Sequence, residues 1–222
     1  MDAAQRREQL LALFNELKEQ RDPALADCSP NLVFGAGNAD ADLMFVGEAP
    51  GAEEDRQRLP FVGRAGKLLD QLLAEVGLAR EDVFITNVVC HRPPGNRDPL
   101  PAEIDASKAH LYRKVELIEP RVVCTLGNFA TKLLTRSNRG IMSVHGRPQA
   151  HELGGRWVWV YPLLHPAAAL RTPRSLDALR EDFRGLPELL EQPTPLPPGA
   201  PPPPPAAGPP EPVAASQLDL FG

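Results

Sequence analysis

The stretch Asp42-Leu-Met-Phe-Val-Gly-Glu-Ala-Pro-Gly51 joins a short apolar run directly to a turn bounded by glycines. The run at residues 42–46 is typical of a buried strand, because it is apolar after its first residue and too short for a buried helix. Beyond the turn, the apolar spacing predicts a helix over residues 64–76. A strand, a turn and a helix in this order form the first half of a βαβ unit, from which parallel sheets are built.

Three further apolar runs continue this alternation, and patterns with helical spacing separate them. The predicted fold class is therefore α/β, with three layers (α/β/α) and a central, mainly parallel, four-stranded sheet. In such sheets a ligand binds beyond the carboxyl ends of the strands. The additional predicted strands cover residues 83–89, 122–126 and 157–164, and the additional helices cover residues 102–118, 128–134 and 176–190.

The two ends of the chain differ from this alternating region. Residues 1–30 are expected to contain a helix that packs on the domain formed by residues 31–191. Residues 192–215 are rich in proline, alanine and glycine, which predicts a semi-rigid, extended linker without a core of its own. Residues 216–222 then form a candidate docking peptide. The apolar face of the N-terminal helix is expected to consist of Leu10, Leu11, Phe14 and Leu17.

The overall charge does not indicate a non-specific nucleic-acid binder. The chain of 222 residues carries a formal net charge of −5, whereas proteins that hold DNA mainly by electrostatics are usually basic. A DNA partner would therefore be met through a local basic patch and a specific pocket. The chain has no apolar run of about 18 residues and begins with a charged, amphipathic segment, so we expect a cytoplasmic monomer that does not enter a membrane.

The three cysteines do not form a recognisable pattern. Cys28, Cys90 and Cys124 lie far apart, and their odd number argues against a disulfide framework. Cys124 lies within an apolar run, which predicts a buried structural thiol. Cys90 and His91 are neighbours at the end of a predicted strand, where successive side chains point to opposite faces, so a shared metal ion is not expected.

Polar residues follow three of the predicted strands, and the topology brings them to one edge of the sheet. Phe61 lies between polar turns, where an aromatic ring could fill the core or offer a flat face to a base. Asn87 lies in an apolar strand, so its amide needs a partner, which could be the backbone or the edge of a pyrimidine. His165 stands alone before a proline, and a lone histidine is more often structural than catalytic.

Four motifs in a fixed order carry a resemblance to a known family. They are GEAPG at residues 47–51, PFVGRAG at 60–66, NVVxxRPPGNRDP at 87–99 and HP at 165–166. This ordered set resembles the family 4 uracil-DNA glycosylases of bacteria and archaea, over about residues 31–190. The resemblance implies the α/β/α fold of the uracil-DNA glycosylases and an enzyme that hydrolyses the N-glycosidic bond of uracil in DNA, which starts base excision repair.

The resemblance also implies roles for individual pocket residues. Glu48 is implied to handle the attacking water or the developing positive charge on the sugar, and His165 to donate to uracil O2. These two are the implied catalytic residues. The implied uracil-binding residues are Ala49, through its backbone, Glu54, near the C5 side of the base, Phe61, by stacking, and Asn87, on the O4 and N3–H edge.

Contacts to the flanking DNA are expected from two loops. Arg92, Asn96 and Arg97 in the RPPGNR segment are candidates for holding phosphates. Leu170 is the candidate for insertion into the gap left by a flipped-out nucleotide, with Arg171 beside it. Each arginine could equally be a solvated surface charge, and Leu170 could be a core residue.

The family resemblance implies an iron–sulfur cluster held by four cysteines, and here the sequence departs from the pattern. His91 and Ser107 stand at two of the expected ligand positions, and Cys28 is the only cysteine of the N-terminal region. From these differences we predict no cluster, no metal site and no cofactor.

The C-terminal segment Gln217-Leu-Asp-Leu-Phe221 resembles the pentapeptide by which bacterial polymerases and repair proteins dock on the DNA sliding clamp. In that mode Gln217 is hydrogen-bonded, and Leu218, Leu220 and Phe221 fill apolar pockets. The sequence therefore predicts the clamp as a protein partner, besides uracil-containing DNA.

An alternative to the enzyme is a binding module of the same fold, which recognises uracil or single-stranded DNA without turnover or traps it covalently. The covalent version is disfavoured because no basic KRRIH-type insertion follows RPPGNR. A nucleotide-binding protein of different chemistry is also disfavoured, because the glycine turns match no phosphate-loop pattern.

Overall fold

The computed structural model describes residues 1–197 and 199, which form a six-stranded sheet with helices on both faces. The strand order is β1-β3-β2-β4-β6-β5. The strands of the described part are β1 Ala36–Gly37, β2 Leu43–Gly47, β3 Phe84–Asn87, β4 Val122–Leu126, β5 Gln149–Leu153 and β6 Arg156–Leu163. Its α-helices are α1 Ala3–Glu19, α2 Ala52–Gln57, α3 Arg64–Glu75, α4 Pro101–Ile118, α5 Asn128–Thr135, α6 Pro166–Ala169, α7 Pro173–Arg184 and α8 Leu186–Glu191.

The four predicted strands form the parallel centre of the sheet, in the order β3-β2-β4-β6. Every residue of β2 and β4 is buried, because helices cover both faces of the sheet. The predicted α/β/α fold class is therefore confirmed, and the sheet is wider than predicted.

The two strands that were not predicted lie at the edges and run antiparallel to their neighbours. Strand β1 has only two residues, one of them glycine, so it has no apolar run. Strand β5 is polar and half exposed, and it joins β6 through the two-residue turn Gly154-Gly155, both residues of which have positive φ. Edge strands of this kind lack the apolar signal that marked the central strands.

Two apolar cores lie on the two faces of the sheet. Side chains of β2 alternate between them, with Met44 and Val46 on the face covered by α1, α4 and α5. Leu43 and Phe45 face the opposite core, which contains α3, α7 and α8. There the ring of Phe45 stacks on that of Phe183 with 5.9 Å between centroids. The alternation explains why β2 is apolar at every position.

Helix α1 packs against α4 and the core beside it, through a face in which Leu13 takes the place of the predicted Leu11. Leu10 and Leu13 are buried, and Phe14 and Leu17 pack partly buried against the same core. Leu11 was predicted on this face, but it is 57% exposed. The buried positions follow the spacing i, i+3, i+4, i+7 of a single helical stripe, and Leu11 lies outside it.

The predicted docking peptide at residues 216–222 lies outside the described residues, as does most of the predicted linker. Just after α8 the chain still contacts the domain, since Trp159 Nε1 donates to the carbonyl oxygen of Pro193 at 3.1 Å. Within residues 1–197 and 199, none of the helices combines the length and the apolar character needed to cross a membrane.

Candidate active site

A cleft of about 440 Å³ opens at the edge of the sheet where the parallel strands have their carboxyl ends. Its size falls in the range typical of small-molecule sites. The topology explains its position, because β2, β3 and β6 deliver the segments after Gly47, Asn87 and Leu163 to the same edge. Among the predicted site residues, Glu48, Ala49, Glu54, Phe61, Asn87, Asn96, Arg97, His165 and Arg171 line this cleft.

Asn87 ends β3 and lies opposite Gly47 in the register of the sheet. Its side chain is 2% exposed, and Oδ1 has no hydrogen-bond partner. The close fit depends on Gly47, because a Cβ there would lie 2.4 Å from Asn87 Oδ1 and 2.7 Å from the Phe61 ring. A buried amide oxygen without a partner costs about 1–3 kcal/mol. Asn87 thus has an unpaired hydrogen-bond acceptor at the cleft.

His165 caps the N-terminus of α6 and has a defined tautomer. Its Nδ1 accepts a hydrogen bond from the backbone N–H of Ala167 at 3.1 Å. Burial lowers the pKa of His165 to about 4, although the carboxylate of Glu54 acts in the opposite direction. The ring is therefore neutral at pH 7, and since Nδ1 is an acceptor, the proton is on Nε2. His165 can thus donate one hydrogen bond without carrying a charge.

Phe61 lies beside His165, with 5.7 Å between the ring centroids and an angle of 31° between the planes. The residue adopts a left-handed backbone conformation, with φ of 51°. Glu54 stabilises the turn that follows, because its Oε1 accepts from the N–H groups of Val62, at 3.1 Å, and Gly63, at 2.8 Å. The carboxylate of Glu54 therefore holds the aromatic turn, a contact that the sequence did not predict.

Glu48 follows β2 directly and is half-buried at the cleft. Burial raises the pKa of its carboxyl to about 7, and the negative charge of Asp98 acts in the same direction. At neutral pH both protonation states are populated, so Glu48 can take up a proton during a reaction. Asp98 was not among the predicted site residues, because its effect acts through space and leaves no motif.

The predicted DNA-contacting residues differ in whether their side chains are already engaged in hydrogen bonds within the protein. Arg97 forms two hydrogen bonds with the buried carboxylate of Glu103, at 2.6 and 2.9 Å. This ion pair holds the pKa of Glu103 at about 2. The Nε of Arg92 donates to Asn96 Oδ1 at 2.6 Å, while Asn96 itself is exposed. Arg97 thus has a structural role that the sequence did not predict.

Leu170 and Arg171 lie just beyond α6, next to the segment that carries His165. Leu170 is 40% exposed, which excludes the alternative of a core leucine. Arg171 is exposed and lines the cleft. Leu170 does not line the cleft, but it is the direct chain neighbour of Arg171, which does.

The cysteine thiols are free, and each lies in a different environment. Cys28 Sγ donates to Glu103 Oε1 at 3.3 Å, and burial together with that carboxylate raises the pKa of the thiol to about 11. Cys90 Sγ lies 3.1 Å from Lys114 Nζ. Cys124 is fully buried on β4, which confirms the predicted structural thiol. Within the described part of the chain, no three His, Cys, Asp or Glu side chains converge to hold a metal ion.

The chain is similar to several curated enzymes along most of its length. It is 42% identical to the Type-4 uracil-DNA glycosylase of Archaeoglobus fulgidus, covering 84% of this chain and 97% of the relative. It is 47% identical to the Type-4 uracil-DNA glycosylase of Saccharolobus solfataricus, covering 72% and 76%. The Type-4 enzyme of Thermotoga maritima is 46% identical, covering 64% and 72%.

These relatives contradict the prediction that the chain has no iron–sulfur cluster. That prediction rested on His91 and Ser107 at two expected ligand positions, whereas the relatives are Type-4 enzymes, a family that carries the cluster. In the described part of the chain, Cys28 contacts Glu103 and Cys90 contacts Lys114. The missing cysteines alone were therefore insufficient grounds for predicting that the cluster is absent. The iron and sulfide content of the purified protein measures directly whether it is present.

The profile of the uracil DNA glycosylase superfamily matches residues 34–186. This range contains the whole parallel sheet centre and every residue that lines the cleft. Together with the identity to the curated relatives, the match confirms the resemblance carried by the four motifs. The chain belongs to the uracil-DNA glycosylase superfamily and, within it, to the Type-4 uracil-DNA glycosylases, which are hydrolases of N-glycosyl bonds.

Proposed function

We propose that this chain removes uracil from DNA by hydrolysing the bond between uracil N1 and the sugar C1′. The observation that carries the proposal is the unpaired Oδ1 of the buried Asn87 in the cleft. A primary amide complements the uracil edge, because its oxygen accepts from N3–H while its NH₂ donates to O4. Cytosine presents the reverse pattern on the same edge and would leave two buried polar groups mismatched.

The base must leave the helix before it can reach Asn87. In a duplex the N1–C1′ bond is hidden, so enzymes that act on a base flip the nucleotide into a pocket. Leu170, which is exposed and adjoins the cleft-lining Arg171, is the proposed residue that enters the space vacated by the nucleotide. Arg171, Arg92 and Asn96 are the proposed contacts to flanking phosphates.

His165 supplies the stabilisation that the departing base requires. When the N1–C1′ bond breaks, its electron pair stays with uracil, and negative charge accumulates on O2. The neutral ring donates from Nε2 toward this oxygen, and a fixed donor stabilises charge that develops only in the transition state. Because the pKa of His165 is about 4, the ring is not a source of a full proton at neutral pH.

Glu48 acts on the sugar side of the same bond. Its carboxylate stabilises the positive charge on C1′ and orients a water molecule, whose oxygen forms the new bond to C1′. The proton released from that water passes to Glu48, whose raised pKa of about 7 suits a temporary acceptor. Glu48 then returns this proton to solvent, and the uracil anion takes one up from solvent water, so the products are free uracil and an abasic site.

Phe61 and Glu54 complete the pocket by fixing the plane of the base. The Phe61 ring offers a stacking face next to His165. Glu54, which holds the Phe61 turn, is the proposed boundary on the C5 side of the base, where a thymine methyl group would clash.

The function is tested with three oligonucleotides that differ only in one base: uracil, cytosine or thymine. After incubation and alkali treatment, we expect strand cleavage at uracil alone. Binding of the uracil strand without cleavage would replace the enzyme by a uracil-binding module of the same fold. Cleavage at all three bases would contradict the role of Asn87.

We also propose that the C-terminal segment docks the enzyme on the DNA sliding clamp. The support is the sequence Gln217-Leu-Asp-Leu-Phe221 at the end of a proline-rich spacer. Tethering raises the effective concentration of the enzyme at DNA without any new contact in the cleft. Gel filtration with purified clamp should show a complex that Leu220→Ala with Phe221→Ala abolishes, while excision on a short oligonucleotide stays unchanged. An elution profile that the double variant does not alter would refute the docking role.

A further inference from the structure

The turn that carries Phe61 is held from outside the cleft by Arg80. This arginine lies between α3 and β3, at the start of the short 3-10 turn Arg80–Asp82. Its Nη1 donates to the carbonyl oxygen of Phe61 at 3.0 Å, and its Nη2 donates to that of Pro60 at 2.5 Å. Nη1 also lies 2.7 Å from Oδ1 of Asp70 on α3, which orients the guanidinium.

The turn needs such support because its backbone conformation is unfavourable. A left-handed φ of 51° costs free energy for a bulky residue such as phenylalanine. The start of α3 also packs directly on the turn, since a Cβ at Gly66 would lie only 1.8 Å from the Phe61 carbonyl oxygen. The position of the ring therefore depends on contacts that hold the backbone on both sides.

Those contacts form two opposed pairs. On the cleft side, Glu54 accepts from the N–H groups of Val62 and Gly63. On the outer side, Arg80 donates to the carbonyl groups of Pro60 and Phe61. Four consecutive residues are thus held by one anion and one cation, neither of which was assigned this function from the sequence.

We propose that Arg80, oriented by Asp70, is a positioning residue that fixes the Phe61 ring in the plane in which uracil stacks. The inference rests on the proposed stacking role of Phe61. Arg80 and Asp70 are 29% and 45% exposed, and ion pairs this exposed contribute little to overall stability. The effect of Arg80 is therefore on the geometry of the cleft more than on the folding of the chain.

The test compares Arg80→Met with Arg180→Met. Arg180 is a matched control because it pairs with Glu75 of the same helix, is similarly exposed, and does not contact the Phe61 turn. The measured quantities are KM for a uracil oligonucleotide, kcat, and the inhibition constant of free uracil. For Arg80→Met we expect KM and the inhibition constant to rise about tenfold, with a smaller fall in kcat, because base stacking is weakened. Arg180→Met should match the wild type, and Arg80→Lys should recover part of the loss.

A double variant separates positioning from a general structural effect. In the Phe61→Ala background, Arg80→Met should cause no further rise in the inhibition constant, because the ring on which Arg80 acts is absent. Equal, multiplicative losses in both backgrounds would overturn the proposal. Wild-type constants for Arg80→Met, alongside a loss for Phe61→Ala, would overturn it too but leave the proposed function standing. If the Phe61→Ala variant itself kept the constants of the wild type, the proposed stacking role of Phe61 would be wrong.

Should Arg80→Met not fold, Asp70→Asn provides the second variant. It keeps the bonds from Arg80 to the two carbonyl groups and removes the charge that orients the guanidinium. We expect both constants to rise about two- to threefold, since an exposed ion pair of this kind contributes only a small interaction energy. Unchanged constants in this variant would overturn the proposal.

Discussion

Two neighbouring residues of β3, Thr86 and Asn87, belong to buried polar regions that differ in how their polar atoms are paired. Behind the sheet, Lys114 Nζ lies within hydrogen-bonding distance of the Phe34 carbonyl oxygen (2.6 Å), Cys90 Sγ (3.1 Å) and Thr86 Oγ1 (3.2 Å). It also lies 4.3 Å from the centroid of the Phe34 ring. This lysine cluster, defined by these four residues, uses each of the three hydrogens that a protonated amine carries.

Asn87 follows Thr86 directly on β3, yet its Oδ1 is unpaired. Thr86 and Asn87 are thus neighbours on one strand, but the first is hydrogen-bonded within the protein and the second has an unpaired oxygen at the cleft. A buried polar group that is paired within the protein stabilises the fold, whereas one left open toward a cleft costs stability and is available to a ligand. The other two unpaired buried atoms among the described residues, Arg21 Nε and Asp55 Oδ1, belong to residues that do not line the cleft.

The largest expected effect on the cleft side is that of His165→Ala. Removing the donor to O2 should lower kcat by about 10²- to 10³-fold, because that donor acts on charge formed in the transition state. Single-turnover excision measures it, with His151→Ala on the edge strand β5 as the control. A loss below about threefold would show that His165 only caps α6.

On the other side of the comparison, Lys114→Met should destabilise the protein without changing the chemistry. The substitution leaves buried acceptors without their donor, so the free energy of unfolding should fall by about 2–4 kcal/mol. Urea unfolding measures this, and Lys108→Met, on the exposed side of α4, should change it by less than about 0.5 kcal/mol. A large fall in kcat of the folded variant would contradict the division between the two regions.

Glu48→Gln tests how much the ionisation of Glu48 at the cleft destabilises the folded protein. The wild-type rate should rise with pH through about 7 as Glu48 ionises, and the variant should be slow with no such rise. Because the folded pKa lies above the usual value of 4.5, ionisation costs stability between about pH 4.5 and 7. The variant should therefore be about 1 kcal/mol more stable than the wild type at pH 8 and similar to it at pH 4. If the variant and the wild type had the same thermal stability at pH 8 as well as at pH 4, the raised pKa of Glu48 would be contradicted.

The smallest expected effect is that of Asp98→Asn. Removing this negative charge should lower the pKa of Glu48 and move the acid limb of the rate profile toward lower pH by a fraction of a unit. Asp177→Asn on α7 is the control, since it lies away from the cleft. A shift toward higher pH would show that Asp98 does not act on Glu48 through its charge.

The sequence predicted the parts of the molecule that depend on local pattern. The apolar runs of β2, β3, β4 and β6 gave the parallel centre of the sheet, and strand ends placed Glu48, Asn87 and His165 at one edge. The ordered motifs gave the family.

The parts that were not predicted depend on contacts between distant segments. Arg80 reaches the Phe61 turn across 19 positions of the chain, and a single arginine before a strand has no pattern that indicates a partner. The hydrogen bond that the Gly63 N–H donates to Glu54 spans 9 positions and depends on the left-handed turn between the two residues. The edge strands β1 and β5 were missed because they are short or polar.

The most direct test of the contrast between the two regions is Asn87→Leu, measured for activity and stability on the same preparation. Leucine has a similar size but no polar atoms, so it removes an unpaired buried group. We predict that uracil excision falls by at least about 10²-fold while the free energy of unfolding stays equal or rises by about 1 kcal/mol. Excision at the wild-type rate, or a loss of stability as large as that of Lys114→Met, would contradict the assignment of Asn87 to the bound base.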